Sequence, residues 1–172
     1  AELAMWLEYQ EVLRHIKILD PACGSGAFLV AAFDYLMREY GRVNEQVALV
    51  DKVKGPGLFD LDRQILQQNL FGVDINPESV EITKLSLWLK TARRDKPLNN
   101  LDGNIRCGNS IVAPPGDGAT AEDQAAFDAL TDDVRRRAFD WRAQFPGIFA
   151  DGRDGFDCVI GNPPYVRQEL LS

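Results

Sequence analysis

The sequence predicts an α/β fold in which helices flank a short parallel β-sheet. Three observations support it: four short apolar runs suit buried strands, helix-forming segments follow the first two runs, and a polar residue follows each run. In open α/β sheets the ligand binds beside the carboxyl ends of the strands, so the polar residues mark the functional edge. We expect the strands in the spatial order third, second, first, fourth, with right-handed crossovers. In chain order they are Ile16–Leu19, Phe71–Asp74, Ile105–Cys107 and Phe156–Ile160.

The segment around the first strand contains two predicted helices. Residues 1–15 predict a leading amphipathic helix, and His15 is interpreted as the residue that joins this helix to the strand. After the strand, an apolar helix is predicted over Ala27–Tyr40, and Gly41 is expected to end it. We therefore expect a helix–strand–helix unit at the start of the domain.

A glycine-containing turn connects the first strand to this second helix. Asp20 and Pro21 end the strand, and Gly24 and Gly26 allow a tight turn. Without side chains, these glycines let a ligand approach the backbone, and amides at the start of a helix can receive a carboxylate or another acceptor. A Gly-x-Gly pair placed between a strand and a helix indicates a nucleotide-type site.

The second strand ends at an acidic residue. Asp74 stands at the strand tip, Asn76 is a good N-cap, and Pro77 suits the first turn of a helix that we predict over Glu78–Arg93. The apolar stripe of that helix consists of Ile82, Leu85 and Leu89, with Trp88 adjacent. A carboxylate in this position could accept hydrogen bonds from both hydroxyls of a ribose. The alternative is that Asp74 only caps the helix.

The spacing between the glycines and Asp74 is longer than in a dinucleotide fingerprint. We therefore predict an insertion over Arg42–Asp62, which includes Gly55-Pro56-Gly57.

The third strand is followed by Asn109, which taken alone is typical of a turn. Its position at another strand tip makes it a candidate site residue. Residues 113–133 are rich in Ala, Asp, Gly and Pro and predict a mobile loop, which leads into a helix near Asp132–Gln144.

The fourth strand ends in Asn162-Pro163-Pro164-Tyr165. Proline cannot donate to a sheet ladder, so the strand must stop before Pro163, and the two prolines stiffen the backbone that carries Asn162. The amide and the carbonyl of Pro163 could grip the exocyclic amino group of a planar ring, with Tyr165 as a stacking surface. The alternative is a strand followed by a proline-rich turn.

Taken together, these motifs resemble those of amino-methylating DNA methyltransferases. Their order resembles the gamma class of N6-adenine enzymes, and Phe139-Asp140-Trp141, Phe145-Pro146 and Val166-Arg167-Gln168-Glu169 are similar to segments of the large restriction–modification methylases. The motifs are Asp20-Pro21-Ala22-Cys23-Gly24-Ser25-Gly26-Ala27-Phe28-Leu29, Gly72-Val73-Asp74-Ile75-Asn76, Cys107-Gly108-Asn109-Ser110 and Asn162-Pro163-Pro164-Tyr165.

The resemblance implies a truncated form of the Rossmann-like class I methyltransferase fold and S-adenosyl-L-methionine as cofactor. Residues 16–112 would form the cofactor-binding half, and residues 134–172 would supply a helix, a strand and the Asn-Pro-Pro-Tyr motif. Asp74 would hold the ribose, Ile75 would pack on the cofactor adenine, and Asn109 would contact its amino edge, where the family often has Asp. The implied cofactor-binding residues are Asp20, Pro21, Ala22, Cys23, Gly24, Gly26, Phe28, Asp74, Ile75, Asn109 and Asn162.

The resemblance also implies the chemistry. Asn162 and the Pro163 carbonyl would accept hydrogen bonds from N6 of an adenine in double-stranded DNA, while Pro164 would stiffen the motif and Tyr165 would stack on the base. Because N6 is paired inside the duplex, the adenine must first be flipped out. Methyl transfer by in-line displacement then relies mainly on positioning.

Composition limits the possible partners. The 172 residues carry a net charge of -7, whereas a protein that grips phosphates usually presents a basic face. We therefore expect weak DNA affinity for the chain alone, with DNA contacted mainly through a target-recognition region of a larger parent polypeptide. Because the upstream cofactor motif of the class that the chain resembles is not recognisable in residues 1–14, we also expect a fragment that is inactive alone and binds the cofactor weakly or not at all. The absence of a long apolar run predicts no membrane partner, and we expect the cytoplasm of a bacterium or archaeon. The three cysteines lack metal-ligand spacing, so no metal is predicted.

Two alternatives remain open at this point. One is a methyltransferase that acts on a release-factor glutamine or a ribosomal RNA guanine, whose families also have Asn-Pro-Pro-Tyr. Their first motif usually resembles Asp-Leu-Gly-x-Gly-Ser-Gly, so Pro21-Ala22-Cys23 favours DNA. The other is a non-catalytic module that keeps the fold and the cofactor site.

Overall fold

The computed structural model describes residues 2–51, 58–91, 100–150 and 152–162 of the chain. In chain order its elements are helix α1 (Glu2–His15), strand β1 (Ile18–Asp20), helices α2 (Ala27–Asp51) and α3 (Leu58–Gln64), a π-helical segment (Ile65–Asn69), strand β2 (Leu70–Asp74), helix α4 (Pro77–Thr91), strand β3 (Ile105–Cys107), helices α5 (Ala121–Asp128), α6 (Asp132–Arg136) and α7 (Trp141–Gln144), and strand β4 (Cys158–Val159).

The four strands form one parallel sheet in the order β3-β2-β1-β4. This confirms the predicted α/β, Rossmann-like class and the predicted strand order. The register places Asp20 opposite Gly72 and Asp74 opposite Cys107. Because all four strands run in the same direction, their carboxyl ends lie along one edge of the sheet.

One face of the sheet is covered by α1, α2, the π-helical segment and α4. Alternate strand residues such as Ile18, Leu70 and Ile105 point into this core, as the two-residue period of a strand requires. The buried Asn69 joins two of the layers, because its Nδ2 donates to the carbonyls of Leu13 and Ile16, both at 2.8 Å. The end of α1 is thereby fixed against the start of β2.

The other face is covered by aromatic side chains that follow β3. Phe71 on β2 meets the ring of Phe145 edge-on, with the ring centroids 5.6 Å apart. Phe156 and Trp141 join the same cluster through contacts between 5.4 and 6.1 Å. Such edge-to-face pairs add stability beyond that of the buried area. The aromatic segment before the last strand is therefore part of the core under the sheet edge.

Helix α2 does not end at Gly41, and the predicted helix end is wrong. The helix continues to Asp51, because Tyr40, Val43 and Val47 lie on its buried face on both sides of the glycine. A glycine inside a helix costs only about 0.5–1 kcal/mol, which this burial offsets. The start of the predicted insertion is thus helical, and Gly55-Pro56-Gly57 lies outside the described residues.

The segment predicted as a loop over residues 113–133 contains the helix α5. Thr120 caps this helix: its side chain accepts from the amide of Asp123, whose carboxylate accepts in return from the amide of Thr120. A capping box of this kind fixes a helix start even where nothing is buried. The mobility of the segment stays a prediction.

The prediction of a single helix near Asp132–Gln144 is wrong, because two helices, α6 and α7, occupy this segment. The division occurs where Ala138 forms a parallel bridge with Asn109, and the amide of Asn109 donates to the carbonyl of Arg137 at 2.6 Å. This pairing with the segment that follows β3 replaces helical hydrogen bonds. It brings the residues after α6 to the functional edge of the sheet.

Helix α4 buries Val80, Thr83, Lys84 and Leu87. The apolar stripe predicted for this helix, by contrast, is about half exposed or more: Ile82 at 49%, Leu85 at 52% and Leu89 at 69%. The buried Lys84 is compensated by ion pairs with Glu81 and Asp102, at 2.8 and 2.6 Å. Within the described ranges, no helix has the length and apolar character needed to cross a bilayer.

Candidate functional site

The four predicted strand tips meet at one edge of the sheet. Asp20 ends β1, Asp74 ends β2, Asn109 follows β3, and Asn162 follows β4. The edge thus brings together side chains from positions far apart in the sequence. Pro163, Pro164 and Tyr165 lie outside the described residues.

The glycine turn after β1 is tightly held. Gly24 and Gly26 have φ angles of +52° and +85°, in a backbone region that residues with a Cβ rarely adopt. The amide of Gly24 donates to Oδ2 of Asp74 at 2.8 Å, and the amide of Cys23 donates to the carbonyl of Val73 at 3.0 Å. The turn is therefore attached to the end of β2.

Asp74 accepts hydrogen bonds on both carboxylate oxygens. Besides Gly24, the amide of Asn76 donates to its Oδ1 at 2.9 Å. The start of α4 is capped by Asn76 instead, whose Oδ1 accepts from the amides of Glu78 and Ser79 at 2.8 and 3.3 Å. A carboxylate has about four lone-pair sites, so the half-exposed Asp74 can still accept from a ligand.

Asp20 is buried directly beside the segment that carries Asn162. The residue is 1% exposed, and its carboxylate accepts from the amide of Ala22 at 3.1 Å. Burial, reinforced by the negative charge of Asp74, raises the pKa of Asp20, whereas the Ala22 hydrogen bond lowers it. A Cβ on Gly161 would lie 2.8 Å from Oδ1 of Asp20, so glycine is required there for close approach.

A cavity of about 460 Å³ lies beside Ile75. Its wall includes Pro77, Cys107, Phe139 and Arg137, and Ile75 is 46% exposed. This volume is ample for a planar heterocycle placed against an aliphatic side chain. Burial and the nearby Asp74 raise the pKa of Cys107, so its thiol is neutral at physiological pH.

Two of the predicted site residues do not line the cavity beside Ile75. The Asn109 side chain accepts a hydrogen bond from the amide of Ile111 at 3.3 Å, as an asparagine in a turn does, and Asn109 is not part of the cavity wall. Phe28 lines a separate apolar cavity of about 450 Å³ together with Tyr9 and Cys158. The cofactor contacts of Asn109 and Phe28 stay predictions.

The remaining motif residues support the turn. Cys23 is buried, and burial raises the pKa of its thiol to about 12, so it is a packing group under the turn. Pro21 and Ala22 are half-buried between Asp20 and Cys23.

Sequence reasoning missed two groups of residues at this edge. Arg136 and Arg137 line the cavity beside Ile75, and none of the sequence motifs includes them. Thr83 is fully buried under the glycine turn, and its Oγ1 donates to the carbonyl of Gly24 at 2.8 Å. No sequence signal distinguishes Thr83 from other small residues of a helix. The arginines could have been suspected from their position before the aromatic segment.

Comparison with known protein families agrees with this arrangement. A family model described as the Eco57I restriction-modification methylase matches residues 68–172, which is more than half of the chain. The chain belongs to the Eco57I restriction-modification methylase family. The match includes β2 with Asp74, the segment around β3, and the Asn162 motif, and it leaves the glycine turn outside.

Several curated proteins are similar to this member of the Eco57I methylase family. A putative type II restriction enzyme and methyltransferase, RM.MjaORFECS2P of Methanocaldococcus jannaschii, is 37% identical over 60% of the chain. The type II restriction enzyme and methyltransferase RM.Eco57I of Escherichia coli is 29% identical over 91% of the chain. The adenine-specific methyltransferase PglX of Streptomyces coelicolor is 27% identical over 88% of the chain. The matched regions make up only 9%, 15% and 12% of these relatives.

Proposed function

We propose that this chain is the catalytic part of an enzyme that transfers a methyl group from S-adenosylmethionine to N6 of adenine in DNA. The observation that carries the proposal is the meeting of the glycine turn, Asp74 and Asn162 at one edge of a parallel sheet, in a chain that belongs to a methylase family. We further propose that the enzyme is part of a larger restriction–modification or phage-defence polypeptide.

The edge offers groups that suit each part of the cofactor. Asp74 keeps acceptor capacity for the ribose hydroxyls, and the cavity beside Ile75 can take the adenine. At the glycine turn, a Cβ on Gly24 would meet nothing within 4 Å, so a ligand has room to approach the backbone there. When bound there, the cofactor supplies an electrophilic methyl group.

Asn162 would orient the nucleophile. It is exposed and follows β4 beside the buried Asp20. Its amide oxygen, with the Pro163 carbonyl, would accept hydrogen bonds from the amino group of a flipped adenine, so that the nitrogen lone pair faces the methyl group. Tyr165 would stack on the base, since every base presents a π-face to an aromatic ring. The amino proton is lost after transfer, and no strong base is needed for the displacement.

The relatives favour DNA adenine over the alternative substrates. PglX of Streptomyces coelicolor and BrxX of Escherichia coli are among those described as adenine-specific methyltransferases, and one of Bacillus subtilis is described as DNA methyltransferase A. The regions matched by this chain make up only 12%, 6% and 12% of these three proteins. We therefore propose that recognition of the DNA sequence rests mainly on other parts of the polypeptide.

The test uses the full-length gene product with methyl-labelled S-adenosylmethionine and duplex DNA. Mass spectrometry of the digested DNA should find N6-methyladenine. Asn162→Ala should lower kcat at least about 100-fold, as the loss of a group that acts on the transition state does, with little change in cofactor affinity. Label found only in protein or RNA would contradict the substrate, and a fully active Asn162→Ala enzyme would contradict the mechanism.

Two further variants separate cofactor binding from base capture. Asp74→Ala should weaken cofactor binding by about 1.5–3 kcal/mol, because a charged acceptor is lost. Tyr165→Ala should weaken base capture by about 1–3 kcal/mol, whereas Tyr165→Phe, the matched control, keeps the ring and should change little. Unchanged cofactor affinity in Asp74→Ala would restrict Asp74 to holding the turn.

A further inference from the structure

Two hydroxyl groups on one face of α4 donate to successive carbonyls of the glycine turn. Thr83 Oγ1 donates to the carbonyl of Gly24 at 2.8 Å, and Ser86 Oγ donates to the carbonyl of Ser25 at 3.3 Å. Residues three apart on a helix lie on the same face, which is why both reach the turn. The turn is thus held by side chains of α4 as well as by its own backbone hydrogen bonds.

Thr83 is confined in its position. It is 0% exposed, and its Oγ1 lies 3.8 Å from the thiol sulfur of Cys23. A Cβ on Gly26 would come within 3.0 Å of both Cγ2 and Oγ1 of Thr83. A β-branched side chain packed this closely has a fixed rotamer, so the direction of its hydroxyl is fixed too.

The hydroxyl of Thr83 sets the orientation of one peptide group. In a trans peptide the carbonyl and the amide of the same unit point to opposite sides. Since the Gly24 carbonyl faces Thr83, the amide of Ser25 points away from α4. The neighbouring amides of Gly24 and Gly26 are occupied by Asp74 and by the carbonyl of Cys23. In the described ranges the Ser25 amide has no protein acceptor, and Ser25 is exposed.

We propose that Thr83 is a positioning residue that directs the Ser25 amide toward the carboxylate of S-adenosylmethionine. This inference rests on the proposed function and deepens it. The amide is a neutral donor, and a carboxylate is the anionic part of the cofactor that such a donor recognises. Ser86 holds the following peptide unit, Ser25–Gly26, so the orientation of the Ser25 amide depends on the Thr83 contact.

The test compares Thr83→Val with Thr83→Ser in the full-length gene product. Valine keeps the shape and removes the hydroxyl, whereas serine keeps the hydroxyl. By calorimetry, Thr83→Val should raise the Kd for S-adenosylmethionine about fivefold to tenfold, as expected for one lost hydrogen bond, and Thr83→Ser should stay within about twofold of wild type. An unchanged Kd in Thr83→Val would overturn the inference.

Decarboxylated S-adenosylmethionine, which lacks the carboxylate, is the control ligand. Its affinity should be the same for wild type and Thr83→Val. Equal losses for both ligands would make Thr83 a structural residue only and would overturn the inference, while the proposed function would stand. A wild-type gene product that binds neither ligand would overturn the proposed function and the inference together.

Discussion

Replacing Gly26 by alanine tests how closely α4 packs against the glycine turn. The added Cβ would lie 3.0 Å from Cγ2 and Oγ1 of Thr83 and 3.2 Å from its backbone α-carbon. A side-chain rotation cannot move that backbone atom, so the turn or the helix must shift. Overpacking of this kind costs about 1–3 kcal/mol.

Gly24→Ala provides the matched control. Its φ is also positive, but a Cβ at Gly24 would meet nothing within 4 Å. The control therefore suffers only the backbone cost of a left-handed conformation, about 1–2 kcal/mol. Gly26→Ala should bear a similar backbone cost and the steric cost together, so it should be less stable than Gly24→Ala by about 1–3 kcal/mol.

Urea denaturation of both variants measures the free energy of unfolding. A double mutant, Gly26→Ala with Thr83→Ala, should recover part of the loss, because the two nearest side-chain atoms are removed while the backbone of residue 83 remains. The coupling energy should be at least about 0.5 kcal/mol. Equal stabilities of Gly26→Ala and Gly24→Ala, or strict additivity in the double mutant, would refute the packing described for Thr83.

Three further outcomes are expected. Gly41→Ala should raise the free energy of unfolding by about 0.5–1 kcal/mol, because residue 41 is inside α2 and the added Cβ would meet no atom within 4 Å. A variant that is less stable than wild type in urea denaturation would contradict a continuous helix. Alkylation of the native chain at pH 8 should label the exposed Cys107 and spare the buried Cys23, whose thiol pKa is about 12. Comparable labelling of both cysteines in peptide mass spectrometry would contradict a closed turn. Burial, with the charge of Asp74, raises the folded-state pKa of Asp20, so the contribution of Asp20 to stability is full below the ordinary pKa of about 4 and is lost as pH rises through the folded-state pKa. From pH 3 to 7 the stability of Asp20→Asn relative to wild type should therefore increase. A difference that stays constant with pH would contradict the raised pKa.

The sheet was predictable from the sequence because its signals are local. Each strand is a short apolar run, and residues such as Asp74 and Asn162 lie at its tip where the chain turns. The parallel order then follows from the helical connections, since right-handed crossovers leave few arrangements. The same local chemistry identified Asn76 as the cap of α4.

The errors arose where contacts between distant segments overrule local preference. Gly41 ends no helix, because packing on both sides of it continues. The division between α6 and α7 depends on the bridge between Ala138 and Asn109, which no helical period can reveal. Thr83 escaped notice for a related reason: its role depends on a carbonyl that lies 59 residues earlier in the chain.

The attachment of the glycine turn has a consequence for recombination between relatives. The turn precedes residue 68, where the family match begins, whereas Asp74, Thr83 and Ser86, which hold it, lie within the match. A chimera joined near residue 60 would combine the glycine turn of one protein with the residues of another protein that hydrogen-bond to it. Such a hybrid would keep every motif and still misplace the turn. Productive exchange among these enzymes should therefore transfer the turn and α4 as one inherited unit.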